Sequence, residues 1–331
     1  MKNPFFCLLS ETSIEREVDK SPTMASSAVP YENSIKRFLT LVVPCFAVSQ
    51  GLAYAASAGD YKQLGRLAAF AILLQWVVFF LHASGLVFGN ERTERYYDLT
   101  GSLTFLLTSA WSSTFVPSAA RSERQKIVTT LLQVWALRLG SFLFSRIASH
   151  GGVDSRFTAI KPSLLRFFGA WTLQGVWVFI TALPVLSLNQ AVDKKPLDVV
   201  DYVGVLLWGT GFLFEVTADL QKTFFLQGSN KKFIDTGLWS LSRHPNYFGE
   251  ILLWIGVAMI SSNGMKAWSS QAISSWVSPL FVALLLIFIS GIPMLEKASD
   301  AKWGNQKNYK LYKEITPVLI PIVGRKGSAP F

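Results

Sequence analysis

The chain has 331 residues, 31 Lys+Arg against 21 Asp+Glu and a formal net charge of +10. Only 16% of the residues are charged and half are hydrophobic, whereas a soluble domain carries roughly 25% charged residues. This balance excludes intrinsic disorder over most of the chain. With only two cysteines, Cys7 and Cys45, it also excludes a disulfide scaffold. It points to an all-α, polytopic membrane bundle.

A spanning helix needs roughly 20 mostly apolar residues. Residues 1–36 are polar and of mixed charge and read as a disordered tail. Phe38–Gly59, Leu67–Phe88, Leu99–Ala120, Phe167–Leu188 and Ala272–Met294 then run without Asp, Glu, Lys or Arg. Ile127–Ile147 is apolar around Arg138, with Arg146 near its end. Tyr202–Phe214 continues into Glu215, Asp219 and Lys222. Phe248–Ser262 is short, carries Glu250 and reads either as a half-span or as extending through Asn263-Gly264. The sequence thus predicts seven or eight membrane helices in one domain over 37–322, followed by a tail at 323–331. An eight-span arrangement puts 22 of the 31 Lys and Arg on one side and eight on the other, which places the richer side in the cytosol.

A charge inside a membrane helix costs about 2.5–3.5 kcal/mol at the centre, so each one asks for a role or a partner. Arg138 reads either as a phosphate or cofactor ligand or as a structural arginine paired with Asp98 or a carbonyl. Glu215, Asp219 and Lys222 fall at i, i+4, i+7 on one helical face. They suit ribose hydroxyls and a phosphate, or form a solvated helix end with an i,i+3 ion pair. Tyr96, Tyr97 and Asp98 open the third span. A tyrosine facing an apolar cavity can donate a proton, though tyrosine is also common in the interfacial aromatic belt. Gln75, His82, Gln133 and Gln174 read mainly as interhelical hydrogen-bonding groups. The three histidines show no metal-ligand spacing, so no metal is expected. No HExxH, Walker A or GxGxxG motif occurs, which leaves metallopeptidase, P-loop and dinucleotide-fold readings without support.

The densest segment runs Ser242-Arg-His-Pro-Asn-Tyr-Phe-Gly-Glu250. Pro245 can open a helix. That would set Arg243 and His244 at a helix mouth, where the dipole favours anions. Asn246 and Glu250 lie i,i+4 on one face, with Tyr247 beside them. A phosphate held by Arg243, with the rest of a ligand on Asn246, Tyr247 and Glu250, is a consistent arrangement. The alternative is an amphipathic loop touching lipid headgroups.

This segment resembles the C-terminal signature of the steroid 5-alpha-reductase and isoprenylcysteine carboxyl methyltransferase superfamily, and is most similar to an uncharacterised branch beside the reductases. The resemblance runs from about Tyr97 to Pro321. It is carried by Tyr97-Asp98-Leu-Thr-Gly, Trp135-Ala-Leu-Arg138-Leu-Gly, Asp154-Ser-Arg156-Phe157 and Gly211-Phe-Leu-Phe-Glu215-Val-Thr-Ala-Asp219-Leu-Gln-Lys222. The 242–250 block and the tail Glu296-Lys297, Trp303-Gly304, Tyr309, Tyr312 and Ile320-Pro321 complete it. The reductase resemblance implies an NADPH pocket open to the cytosol. Glu215 and Asp219 would take the adenosine or ribose side, and Asn246 and Glu250 the nicotinamide end. Arg243 and neighbouring cations would meet the phosphates, with Arg138 and Arg156 as further additions. Reductases of this family draw a Glu–Tyr acid pair from the N-terminal half. Here the second span offers Gln75 and His82 but no Glu, which leaves Tyr97 as the acid and Asp98 as its partner. The methyltransferase branch shares the Arg-His-Pro-x-Tyr-x-Gly pattern and the Tyr309/Tyr312 tail, but usually adds a Glu-Glu pair where this chain has Glu296-Lys297. The cations Arg138, Arg156, Lys222, Lys231, Lys232 and Arg243 suit a pyrophosphate better than the sulfonium of S-adenosylmethionine. The expectation is therefore an integral membrane NADPH-dependent reductase of an activated C=C bond in a steroid, sterol, polyprenoid or fatty-acyl lipid. It would reside in the endoplasmic reticulum with its cofactor loops in the cytosol, needing no nucleic acid and no protein partner. S-adenosylmethionine-dependent methyl transfer and a non-enzymatic lipid-binding role are the alternatives.

Overall fold

The computed structural model describes residues 31–322 except 58, 59, 88, 90, 150, 194 and 229–232. Most of the expected N-terminal tail, the 323–331 tail, Cys7, Lys231 and Lys232 lie outside the described residues. Every element among the described residues is helical: α1 (Tyr31–Ala55), α2 (Tyr61–Val78, prolonged by a π turn Phe79–Ala83), α3 (Tyr97–Ser112), α4 (Glu123–Ser149), α5 (Leu164–Leu188) and α6 (Val199–Gln227). These are followed by α7 (Pro245–Asn263), α8 (Ser270–Ser275), α9 (Val277–Leu284, prolonged by a π turn Leu285–Ile289), α10 (Ile292–Trp303) and α11 (Lys307–Ile315). Residues 31–36, expected in the tail, already belong to α1.

Among the described residues, six segments are long and apolar enough to cross a membrane: Phe38–Ala55, Tyr61–Ala83, Glu123–Ser149, Leu164–Leu188, Val199–Gln227 and Ser270–Trp303. The expected seven or eight therefore stand at six by length and composition. The expected third span fails first. It was to run to Ala120, yet α3 stops at Ser112. The Ser112, Ser113 and Thr114 hydroxyls turn back onto the carbonyls three residues earlier, where side chains compete with the helix, and Pro117 lacks an N–H to continue it. Its 16 residues reach about 24 Å, short of the roughly 30 Å hydrocarbon core. α7 has 19 residues but is polar at both ends, through Asn246 and Ser261-Ser-Asn263. Both helices nevertheless run the length of the bundle. Asp98 and Asn246 bond to partners at one end, Ser112 and Asn263 at the other.

Nearly all of α5 is buried. Its run from Phe167 to Leu188 carries no charged residue on any face, as suits a helix enclosed by other helices, and α1, α2, α3, α7 and α9 surround it. α6 and α7 approach closely because glycine faces glycine. A Cβ on Gly249 would sit 2.5 Å from the Gly211 carbonyl oxygen, and one on Gly256 2.5 Å from that of Gly204. This backbone approach is what small residues permit between membrane helices. It seats the first turn of α7 against the last third of α6.

The end of the bundle remote from α7's first turn is pinned by Arg124. Its fully buried guanidinium takes Asp201 at 2.8 and 2.7 Å, Asp193 at 2.7 Å and the Lys195 and Pro196 carbonyls at 3.1 Å. Asp198 caps α6 in a reciprocal box with Asp201, and Asn263 bonds both carboxylates. Both oxygens of Asp201 and every arm of Arg124 are thus occupied, which is what makes a buried ion pair tolerable.

Candidate functional site

At the opposite end, α4, α6 and α7 bring four charged residues together inside the bundle. Arg138 of α4 reaches across to Glu215 at 2.6 Å and to Asp219 at 2.6 Å. Its other face lies over the Phe142 ring at 5.2 Å. The guanidinium thus binds two carboxylates one turn apart on α6, in place of Asp98. Asn246, in the first turn of α7, donates to the other oxygen of Asp219 at 3.4 Å. Glu250, one turn further along α7, is within electrostatic reach of Asp219 and Arg138. Three carboxylates therefore share one firmly bound arginine. One Glu215 oxygen and the Tyr247 hydroxyl are buried with no hydrogen-bond partner among the described residues. Native interiors seldom leave such groups unpaired without a reason.

Lys222 turns away from this cluster. The i,i+3 pairing with Asp219 gives way to Arg138, and the ammonium sits 4.8 Å over the Trp239 ring with no carboxylate at ion-pair distance among the described residues. It lines a cleft of about 140 Å³ whose walls are Phe233, Trp239, Arg243, His244, Glu296, Trp303, Tyr309 and Tyr312, with smaller contributions from α6 and α10. Phe233 packs against Trp303, Tyr309 and Tyr312 with ring centroids 5.1–6.0 Å apart. Tyr312 donates to the Trp239 carbonyl at 2.7 Å and Tyr309 to Asp300 at 3.1 Å.

Glu296 is the anion of this cleft. It accepts from Arg243 at 2.6 Å, His244 at 2.9 Å and Lys313 at 2.9 Å. Pro245 opens α7 as the sequence predicts, and His244 stacks on Tyr247 with rings 8° from parallel. Burial pushes the His244 pKa below the ordinary histidine value, against the opposing pull of Glu296. Burial raises the phenols of Tyr309, to about 12, and of Tyr312. The Arg243 Nε and the His244 Nδ1 have no partner among the described residues.

Asp98 and Arg156 form a third group. Arg156 is buried between Asp98 and Asp154, and Arg146 stands 3.8 Å from both carboxylates. Burial opposes the ionisation of Asp154, but its bonds to Arg156 outweigh this and hold its pKa below the usual carboxylate value. Tyr97 is placed differently from a proton donor facing a cavity. It is 1% exposed, donates to the Ala170 carbonyl of α5 at 3.0 Å and is caged by Phe157 and Trp171. His82 lies on the outside, against Tyr96.

The structure thus sorts the sequence candidates into three neighbouring groups. Arg138, Glu215, Asp219, Asn246, Tyr247 and Glu250 form the buried cluster. Lys222, Arg243, His244, Tyr309 and Tyr312 line the cleft. Asp98 and Arg156 form the ion-pair group, with Tyr97 beside it in an aromatic cage. Sequence reasoning missed Trp239, Phe233 and Arg146, and saw Glu296 only as a departure from a Glu-Glu pair. A lone acid after an apolar run does not announce that it will bind Arg243, 53 residues away.

A family model described as "Protein of unknown function (DUF1295)" matches residues 86–316. The chain belongs to this family. The matched stretch contains all three groups. An uncharacterized protein of Schizosaccharomyces pombe is 22% identical over 221 residues, covering 58% of this chain and 62% of that protein. The chain thus covers less than two thirds of that relative's length. No solved structure matches the chain.

Proposed function

We propose that this membrane protein is an NADPH-dependent reductase of an activated C=C bond in a lipid, with the cofactor entering by the aromatic cleft and reaching the buried cluster. The observation that carries the reading is the excess of unpartnered donors in the cleft. Lys222 has no carboxylate partner among the described residues, and Arg243 keeps a buried Nε–H without an acceptor. Such a wall suits phosphate oxygens, and the rings of Phe233, Trp239, Trp303 and Tyr309 suit a flat base. Deeper in, Glu215, Asp219 and Glu250 offer acceptor oxygens for ribose hydroxyls or a carboxamide, and Asn246 adds a donor. These residues fit NADPH, which when bound supplies a hydride.

The chain's own contribution would be positioning and electrostatics. Arg138 would hold the Glu215 and Asp219 side chains in place, one turn apart on α6. The glycine contacts between α6 and α7 fix the spacing of Asp219 and Asn246, and the surrounding apolar helices exclude water. Tyr97 serves α3–α5 packing through Ala170 in this reading, and Asp98 anchors Arg156. The kinship of the DUF1295 family with steroid 5-alpha-reductase-like membrane proteins supports the assignment. The site end would then face the cytosol, in keeping with the basic loops, and the endoplasmic reticulum is the proposed membrane.

S-adenosylmethionine is the second reading, favoured by the carboxylate-rich inner cluster, which suits a sulfonium. Thermal unfolding of the detergent-purified protein titrated separately with NADPH, NADH and S-adenosylmethionine tests both. A ligand bound only by the folded state adds about 2.7 kcal/mol at a hundred times Kd. Stabilisation by NADPH is the expected result. Stabilisation by S-adenosylmethionine alone reverses the assignment, and no response to any of the three in folded protein rejects both.

A further inference from the structure

The chain after α11 leaves the helical pattern and runs through bends and a final turn as a strap beside the loop that leads into α7. The Arg243 N–H donates to the Pro317 carbonyl at 2.9 Å, the Ser242 hydroxyl to the Leu319 carbonyl at 2.7 Å, and the Ile322 N–H to the Leu241 carbonyl at 3.1 Å. Thr316 is buried and Leu319 packs on the apolar core of the bundle. Val318, Ile320 and Ile322 point outward and are 39%, 52% and 64% exposed. On α11 the aromatic face, Tyr309 and Tyr312, closes the cleft, while Leu311 is 45% exposed and Lys307 and Lys310 stand free of the fold.

An outward row of isoleucine and valine is costly in water. Its place decides what covers it. The strap lies against residues 241–243, immediately before the first turn of a helix that runs the length of the bundle. It is therefore level with the end of the apolar layer, not out in solvent. The exposed charged side chains of the two helices that precede it, α10 and α11, include Lys297, Lys302, Lys307 and Lys310, against Asp300, which Lys313 already engages, and Glu314. Apolar side chains beside lysines at the edge of a bilayer match the acyl–headgroup boundary of an anionic membrane.

We propose that the 316–322 strap and the outer face of α11 dock on the anionic phospholipid headgroups of the membrane that the bundle spans. Because the strap supplies backbone acceptors to Ser242 and Arg243, the headgroup layer then becomes one wall of the support for the cleft. This assignment does not depend on which cofactor the cleft holds.

The test uses the full chain in lipid nanodiscs, with Cys7→Ser and Cys45→Ala as background and a nitroxide on Ile320→Cys or, separately, on Ile322→Cys. In discs of phosphatidylcholine with phosphatidylserine, the label is expected to be reached by oxygen and shielded from a water-soluble nickel chelate. That shielding should weaken in phosphatidylcholine alone, at high salt and in the Lys307→Gln, Lys310→Gln variant. A label reached freely by the nickel chelate overturns the proposal, because the strap is then in water. A label shielded from both reagents also overturns it, because protein then covers the strap. Shielding that is the same with and without phosphatidylserine overturns the anionic partner.

Discussion

Replacing Arg138 with Met should unbalance the buried cluster more than any other single change. The side chains of Glu215 and Asp219 are 4% and 0% exposed, and each holds Arg138 at 2.6 Å. Removing one partner of a buried pair costs about 3–5 kcal/mol, because the remaining charge is left uncompensated. Arg138 is itself 15% exposed and Asn246 stays on Asp219, so Arg138→Met is expected at the lower end, about 3 kcal/mol. Adding Asp219→Asn removes one stranded charge. The double variant should then be more stable than the sum of the single changes predicts, by about 1–2 kcal/mol, within the usual range for contacting residues. The assay is reversible unfolding of all four proteins in one detergent, followed by tryptophan emission. An Arg138→Met protein within about 0.5 kcal/mol of the parent, the range of a surface substitution, would refute the cluster's energetics. Strict additivity in the cycle would refute the Arg138–Asp219 coupling.

Further outcomes follow from single contacts. Gly249→Ala puts a methyl 2.5 Å from the Gly211 carbonyl oxygen and 2.7 Å from the Glu215 nitrogen; overpacking of this kind costs about 1–3 kcal/mol, and the thermal response to NADPH should weaken with it, which titration of the variant measures. His244 has its pKa lowered by burial, so the folded state holds fewer protons on it than the unfolded state. Its contribution is present above about 6.5 and is lost as pH falls below that value; the stability of the parent relative to His244→Asn should decline from pH 7 to 5, and a flat difference counts against the burial. Glu296→Gln frees Arg243, while Lys313 stays on Asp300, and should tighten pyrophosphate binding by up to roughly tenfold at low salt, equal to about 1.4 kcal/mol, as read by calorimetry; weaker binding would make Glu296 a necessary support. Tyr97→Phe loses one neutral buried hydrogen bond, about 1 kcal/mol, and should leave kcat of any detected reductase largely intact. A fall of about a hundredfold or more, the scale of general acid catalysis, would return the proton-donor role to Tyr97.

The sequence by itself determined the material of this protein. Low charge and long apolar runs leave no fold but a helical membrane bundle, since backbone groups in lipid must be satisfied within the segment. Periodicity put Glu215 and Asp219 on one face, and the fixed φ of Pro245 placed the start of α7. These are local properties, written within a few residues of where they act. The length of α3 was local too, yet it was misread, because Ser112, Ser113 and Thr114 are nearly neutral on a hydropathy scale while their hydroxyls compete for the helix carbonyls.

The pairings were not local. Arg138 meets carboxylates 77 and 81 residues away, and nothing in its own surroundings distinguishes them from Asp98. Glu296 joins Arg243, His244 and Lys313 only because α10 folds back beside the mouth of α7. Arg124 looks like an ordinary basic residue at a helix start until Asp193, Lys195, Pro196 and Asp201 close on it. Tyr97 reads equally well as an acid or as a packing residue until α5 presents the Ala170 carbonyl to its hydroxyl. Apolar runs say which segments enter the membrane, but a hydropathy pattern carries no partner index. Which buried charge neutralises which is settled by helix packing, and here that packing depends on glycines that let α6 and α7 touch.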